Sequence, residues 1–460
     1  MVNSIYSSVR LRVRSGGVLS EAFDNHLGVK QGEPLSPLLF LFFINDIIQD
    51  ISTDVNEDVI SLNGILIYLI LFADDTVLFG KTPTVLQHLF DKLLLYCNKW
   101  NIEVNADKTK VVVFRNGFRP VDTNFYYDNK ELQVVNSYVY LGVLLHYNGK
   151  FLHTQKRLAQ QGSRAMSSLM NSLKQFFITP EEQMFLFDSM VGSVLGYASE
   201  IWGFHRAKDI ELIHNRFCRF VLKLGRNVPT CFLYGELGHL PLFIVRKQKI
   251  LKYWLHIITN KPKVVYDVYK LLYDDAINGY VNWASNIRDI LYDLGLNYVW
   301  LNQDATTICI NTIKTRIKDQ YLQNWSTSIQ ECSKLSFYCR FKLTFYIEKY
   351  LSYINNVSLL TKLRSGTLKL NIEVGRYNNI SRENRLCECC KMCVIEDEYH
   401  FVLVCPAYRS VRTQFLPKYY CSWPNDRKLL NILQASSKSL MIKLCNYVKA
   451  AWNIRSNIVS

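Results

Sequence analysis

Two short apolar runs, Ile65–Phe72 and Thr76–Phe79, meet at Ala73-Asp74-Asp75, so two adjacent carboxylates stand where two strand-like segments join. Ionised side chains beside apolar strands are costly unless water or a cation compensates them. The segment is therefore expected to be a β-hairpin with an acidic tip. Successive side chains of a regular strand point to opposite faces, so at most one of the pair aims directly at a metal unless the turn twists them together. Asp74 is the expected principal ligand and Asp75 its support. An Asp-Asp turn can equally do no more than bond local backbone in solvent, and the rest of the chain has to decide.

Upstream, Val9, Leu11 and Val13 alternate with Arg10, Arg12 and Arg14. This period of two predicts a strand with one apolar and one guanidinium face, suited to a nucleic-acid channel or to a charge-protected sheet edge. A turn-rich stretch, Gly28–Pro37, leads into a helix predicted from Pro37 through about Ile51. A further helix over Pro83–Trp100 and strand-like Val111–Phe114 and Tyr138–Leu145 complete an α+β region. From Phe151 to Leu360 apolar residues recur mostly at helical spacing, over Arg164–Phe177, Pro180–Tyr197, Asp209–Leu224 and Arg246–Ile258. The expected division is 1–150, 151–360 and 361–460, which suits 460 residues of 49% hydrophobic content.

The 54 Lys+Arg against 39 Asp+Glu leave a formal charge of +15. That favours a polyanionic partner through counterion release, although a solvated basic surface carries the same charge. No apolar run reaches the roughly 18 residues needed to cross a bilayer. Met1–Arg14 does not read as a secretory signal, so the expectation is an intracellular protein of nucleus or cytoplasm, with no membrane partner. Its thirteen cysteines are then expected to stay reduced. Five of them, Cys387, Cys389, Cys390, Cys393 and Cys405, crowd beside His400. Cys387, Cys390, His400 and Cys405 read C-x2-C-x9-H-x4-C, a ligand set suited to tetrahedral Zn²⁺, with Cys389 or Cys393 as alternatives in a shifted register. Pro406 disfavours helical geometry at Cys405, so a helix carrying His400 can stop there and turn the last thiolate toward the metal. Arg364, Lys369, Arg376, Arg382 and Arg385 are expected to surround this knuckle with phosphate-binding charge.

Gly28-Val29-Lys30-Gln31-Gly32-Glu33-Pro34-Leu35-Ser36-Pro37, followed by an apolar helix and then Phe72-Ala73-Asp74-Asp75, resembles two reverse-transcriptase motifs in their usual order. The first is a nucleotide-facing loop that opens a helix, the second the aromatic-x-Asp-Asp metal hairpin. The resemblance implies Mg²⁺ at Asp74 and Asp75 and nucleotide contacts from Gln31, Gly32 and Pro34. Asn105–Lys110 is similar to the next motif, implying Lys108 near the triphosphate, and Tyr140-Leu141-Gly142 to the hairpin that grips the primer end. Ser199-Glu200-Ile201-Trp202-Gly203, Tyr234-Gly235-Glu236-Leu237-Gly238 and the cysteine cluster resemble the connector and zinc knuckle of LINE-type non-LTR retrotransposon proteins. No chemical role attaches to the Trp202 and Glu236 segments, and packing is their expected purpose.

The implied fold is α+β: a partial reverse-transcriptase palm, a mostly helical thumb/connector and a small zinc-binding module. The implied reaction is RNA-directed DNA synthesis from dNTPs on an RNA template and a DNA primer or target. The resemblance also implies a further catalytic aspartate on a strand well upstream of Gln31. Asp24, seven residues before Gln31 and just after a strand turn, is misplaced for it. The expectation is therefore an amino-terminally truncated domain, inactive alone, with a non-catalytic nucleic-acid-binding remnant as the alternative. A group-II-intron maturase is weaker, because the knuckle and connector segments favour the LINE reading.

Overall fold

The computed structural model describes residues 6, 9–25, 28–30, 32–52, 59–62, 64–117, 122–304, 308–354 and 356–459. It divides into two compact units, Met1–Tyr138 and Val139–Ser460. The architecture is mixed α and β, as expected, but the strands do not join in one sheet. Among the described residues they form several two-stranded ribbons and one three-stranded sheet.

In the first unit, β1 (Val9–Leu11) pairs antiparallel with β4 (Phe23–Asn25), enclosing the small ribbon of β2 (Arg14–Ser15) and β3 (Val18–Leu19). The predicted alternation is present, but of its apolar face only Val9 is buried, while Leu11 and Val13 stay exposed. The helix predicted over Pro37–Ile51 is two helices, α1 (Ser36–Phe43) and α2 (Ile47–Ser52). The break has a cause. Asp46 accepts a 2.6 Å hydrogen bond from the Tyr96 hydroxyl, and the new axis turns Ile47 and Ile51 into the core. Burial, with Asp46 beside it, raises the pKa of that tyrosine.

The expected strand Ile65–Phe72 also changes partner midway. β6 (Ile65–Ile67) pairs with β5 (Ile60–Leu62), and β7 (Leu69–Phe72) with β8 (Asp75–Leu78), while Tyr68 between them is buried and donates to Ile48 O at 3.1 Å. Helix α3 (Pro83–Trp100) matches its predicted span, capped by Thr82 before Pro83 and by left-handed Asn101 at its end. Its Leu89, Phe90, Leu93, Tyr96 and Cys97 form the core with Val111, Phe125, Tyr127 and Leu132. The last three belong to a hairpin that lies between the predicted strands Val111–Phe114 and Tyr138–Leu145, where no element was expected. β10 (Phe125–Tyr127) and β11 (Lys130–Val134) join through Asp128 and Asn129, both at positive φ, which is the turn that matches the twist of paired strands. Strand β9 is only Lys110–Val111, shorter than the predicted Val111–Phe114, and runs parallel to β11.

A hairpin of β12 (Ser137–Tyr140) and β13 (Val143–His146) leads into the helical second unit. Its helices include α4 (Leu152–Leu173), α5 (Pro180–Phe187), α6 (Lys208–Leu222), α7 (Thr230–Leu237), α8 (Leu242–Asn260) and α9 (Ile310–Glu331). They continue with α10 (Ser358–Arg364), α11 (Asn371–Tyr377), α12 (Arg409–Phe415), α13 (Asp426–Leu433) and α14 (Lys438–Val459). One apolar nucleus runs from Leu158 to Ala451, so residues 361–460, expected as a separate module, share their core with the helices before them.

That nucleus explains the two segments to which the sequence attached no chemistry. Glu236 is fully buried and accepts from Arg364 Nε at 2.7 Å and Tyr350 Oη at 2.5 Å. Trp202 is buried, donates to Tyr197 O at 2.9 Å and lies beneath the Arg246 guanidinium. Gly238 closes α7 at φ +59°, where a Cβ would lie 2.3 Å from the Ile347 backbone nitrogen. Left-handed backbone and a backbone clash together require glycine there. Gly238→Ala is expected to cost about 2 kcal/mol or more, read as a lowered midpoint in urea. An unchanged midpoint would contradict the packing described.

Candidate functional site: an acidic hairpin and a cysteine–histidine cluster

The acidic hairpin forms as the sequence requires. In β7–β8, Phe72 stands opposite Asp75, and the two-residue turn between them is Ala73-Asp74, with Ala73 at φ +50°. A non-glycine residue in the left-handed region is strained, and such strain concentrates where a turn has a job to do. Asp74 thus sits at the tip and Asp75 opens the return strand. Both are exposed, and no hydrogen bond or ion pair ties either to another described side chain. Among the described residues no third Asp, Glu, His or Cys joins them closely enough to share an ion. Asp24 is paired across the β1–β4 ribbon with Arg10 at 3.3 Å, so the structure gives it a local partner.

The other polymerase candidates are placed one by one. Gln31 lies outside the described residues. Gly32 has φ +87°, and Pro34 is exposed in the turn before α1. The loop is closed by Ser36, which is buried and donates to Lys30 O at 2.6 Å, and by Tyr6, which donates to Glu33 at 2.6 Å. Lys108 is exposed in a turn held by Asn105, whose side chain accepts from Lys108 N at 3.1 Å. Its neighbour Asp107 pairs with Lys130, which holds that carboxyl below its usual range.

Tyr140-Leu141-Gly142 forms the β12–β13 turn, with φ +44° at Leu141 and +80° at Gly142. Sequence reasoning did not foresee what anchors it. The Tyr197 hydroxyl donates to Leu141 O at 2.7 Å and Arg157 donates to Gly142 O at 3.1 Å. A Cβ on Gly142 would lie 3.0 Å from the Tyr197 ring. Gly142→Ala is expected to destabilise the second unit by about 1–2 kcal/mol, whereas Leu141→Gly at the adjacent left-handed position is neutral or stabilising. Thermal melts compare the two, and equal losses would refute this account of the turn.

The metal candidates do converge. One donor atom from each of Cys387, Cys390, His400 and Cys405 lies within 4.8 Å of the others. Cys387 Sγ is 4.0 Å from Cys405 Sγ, and Cys390 Sγ is 3.4 Å from His400 Nε2. With metal–sulfur and metal–nitrogen bonds of about 2.3 and 2.0–2.1 Å, tetrahedral edges come to about 3.8 Å between sulfurs and about 3.5 Å between sulfur and nitrogen. The donor set fits such an ion.

Local structure explains the convergence. Leu386 and Ile395 form an antiparallel bridge, and Cys387 N donates to Val394 O at 2.9 Å, so a knuckle presents Cys387 and Cys390 together. His400 begins a wide π-helical turn, His400–Val404, in which Cys405 N donates to His400 O. Cys405 then leaves the helix with ψ +123° before Pro406. Asp397 accepts from His400 N, and Arg412 donates to Val402 O and Cys405 O, fixing both ends of the turn. Without a metal, its contact with Cys405 and burial push the Cys387 thiol up to about 12. Cys393 is exposed at φ +51° and outside this cluster, while Cys389 lies near Cys387 and Glu396 in a second grouping.

The basic surround is smaller than the sequence suggested. Arg364 is buried on Glu236, Arg376 pairs with Glu373, and Arg385 donates to Ile380 O and Ile372 O. Lys369 and Arg382 are exposed.

Residues 2–145 match the family model described as reverse transcriptase (RNA-dependent DNA polymerase). The chain is 29% identical over 157 residues to the Pol polyprotein of the type-2 retrotransposable element R2DM of Drosophila melanogaster, covering 32% of this chain and 15% of that protein. It is 29% identical over 154 residues to the transposon-derived protein F52C9.6 of Caenorhabditis elegans, covering 32% and 52%. Likeness to the RNA-directed DNA polymerase from mobile element jockey of Drosophila funebris is 24% over 212 residues, covering 44% and 22%. The chain thus spans about half or less of the length of the curated relatives it matches. With the Asp-Asp hairpin inside the matched segment, these likenesses identify residues 2–145 as a reverse-transcriptase domain of the LINE-type, non-LTR retrotransposon kind.

Proposed function

We propose that this chain is the later part of an RNA-directed DNA polymerase that copies retrotransposon RNA, followed by a helical thumb/connector and a zinc knuckle. The observation that carries the reading is the exposed Asp74-Asp75 tip of β7–β8 inside the reverse-transcriptase match. Two carboxylates on a rigid hairpin are suited to Mg²⁺, which clamps the attacking 3′-hydroxyl and the triphosphate in nucleotidyl transfer. In this reading Asp74 is the main ligand, Asp75 supports it, and Lys108 neutralises charge developing on pyrophosphate. Gln31, Gly32 and Pro34 line the nucleotide, and Tyr140-Leu141-Gly142 holds the primer end. Zn²⁺ on Cys387, Cys390, His400 and Cys405 would lock the knuckle into the carboxy-terminal core. A non-catalytic nucleic-acid-binding role is the second reading, favoured by the cage at Asp74 and Asp75 having no third described carboxylate.

Two Mg²⁺ ions repel each other and depend on bridging carboxylates, and the loss of one well-placed electrostatic group costs about 10²–10³ in rate. The 460-residue chain is therefore expected to incorporate dNTPs at background level. The test is primer extension on an RNA template with Mg²⁺ or Mn²⁺. It compares this chain, its Asp74→Ala variant, and a version lengthened at its amino end with the aspartate-bearing palm strand of a relative. Activity in the lengthened version that is lost with Asp74→Ala supports the polymerase reading. Activity in the short chain that is lost with Asp74→Ala would overturn the incomplete cage, and silence in every version would overturn the polymerase reading.

A further inference from the structure

A cleft of about 730 Å³ opens in the second unit between the end of α6, α10, α11 and α14. Lys223, Lys362 and Lys369 line it together with Tyr377, Trp452 and Leu368. Its volume lies in the range of sites that enclose small organic groups. Its lining carries both things an unpaired nucleotide needs, cations for the phosphodiester and aromatic faces for the base.

The lining is held in readiness by charges that have already been spent. Glu373, a carboxylate of the lining, is occupied by Lys334 at 2.7 Å and by Arg376, so it does not repel an anion. The Lys334 ammonium also donates to the Tyr377 hydroxyl at 3.0 Å and sits 4.9 Å from the ring centre. That fixes the ring while leaving it 58% exposed. Lys362 and Lys369 form no ion pair among the described residues. Trp452 is half-buried beneath the Arg455 guanidinium at 5.4 Å, which fixes the second aromatic.

Helix α11 is the wall shared with the knuckle. Its first residues meet the knuckle, with Ile372 N donating to Glu396 O and Asn371 Nδ2 to Leu386 O, while Glu373, Val374 and Tyr377 line the cleft.

We propose that this cleft binds single-stranded polynucleotide, seating one unpaired base at Tyr377 and Trp452 with its phosphate on Lys362 and Lys369. Duplex cannot enter, because its bases are stacked and paired. The proposal rests on the nucleic-acid reading above but not on polymerase activity.

The test is fluorescence anisotropy of the full chain with labelled oligo-dT and oligo-U of about 15 nucleotides, long enough to span a single-strand site. Four variants are compared: Tyr377→Ala, Tyr377→Phe, the pair Lys362→Glu plus Lys369→Glu, and the control pair Lys314→Glu plus Lys318→Glu on α9. The expected result is about tenfold weaker binding for Tyr377→Ala, restored by Tyr377→Phe, since stacking is worth about 1–3 kcal/mol per base. The cleft pair loses more than the control pair of equal charge, with a shallower salt dependence. A preference between the two oligomers says whether the strand is DNA or RNA. If neither oligomer binds the unaltered chain, the nucleic-acid reading falls. If both bind and the cleft variants match the control pair, the nucleic-acid reading stands and the cleft proposal is overturned.

Discussion

Purified, reduced protein is expected to carry one zinc per chain, and stripping that zinc is expected to loosen the carboxy-terminal core. Structural zinc contributes about 10–16 kcal/mol of apparent binding energy in small zinc-finger peptides near neutral pH, all of it available to folding. Here the ligands are embedded in a larger nucleus: Cys405 is fully buried and Cys387 nearly so, beside Phe401, Tyr408 and Tyr447. The core therefore survives in part without metal, and the loss shows as a lower melting temperature and faster proteolysis around 385–408 rather than as complete unfolding. Metal must displace thiol protons, and the metal-free Cys387 thiol holds its proton up to about 12. Occupancy is accordingly expected to fall as pH falls from 8 to 5.5. Elemental analysis of chelator-free protein reads the stoichiometry. Cys387→Ser plus Cys390→Ser should abolish it, and Cys393→Ser should not, because Cys393 lies outside the cluster. Zinc-free protein, or full occupancy in the double variant, would remove the metal centre from this account.

Arg364→Met is expected to cost about 3–5 kcal/mol, the usual consequence of removing one partner from a buried charge network. Arg364 is fully enclosed and donates to Glu236, to the Leu433 carbonyl and, at 3.3 Å, to Glu348. Burial works against its charge, but Glu236 and Glu348 outweigh it and raise its pKa further, so the guanidinium stays ionised. Deleting it leaves the buried Glu236 carboxylate without its guanidinium, though it keeps the Tyr350 hydroxyl, while Glu348 keeps Lys342 at 2.5 Å. The double variant Arg364→Met plus Glu236→Gln should recover part of the loss, because the stranded charge goes with its partner. Urea denaturation measures both against Lys369→Met, which removes an exposed cation and should be nearly silent. A single-variant loss no larger than that control would show that the network is not buried as described.

What the sequence made legible was local. Helical periodicity located α3, and the junction of apolar runs at Asp74-Asp75 pointed to the hairpin that forms there. The grouping of Cys387, Cys390, His400 and Cys405 was equally readable as a candidate set, because spaced cysteines and a histidine specify chemistry before they specify geometry, and the structure brings the four together. Proline after Cys405 announced where the π-turn ends. Other local features went unread for a physical reason. The Asp128-Asn129 hairpin lacks the glycine that usually advertises a left-handed turn, and the bend at Asn45-Asp46 exists because a tyrosine fifty residues away reaches Asp46.

Charge was where the sequence misled and the tertiary structure decided. Arg364, Arg376 and Arg385 read as phosphate-binding basic residues, yet each meets an internal acceptor. Glu236 had no assignable chemistry, only an expected packing role, until the fold brought Arg364 and Tyr350 to it across more than a hundred residues. A side chain's identity fixes which interactions it can make, and so a sequence determines strands, turns and ligand sets whose partners lie nearby. Whether an ionisable group faces solvent, a ligand or an opposite charge depends on distant segments that only packing brings together, because desolvation and Coulomb energy are set by three-dimensional surroundings and not by neighbours along the chain.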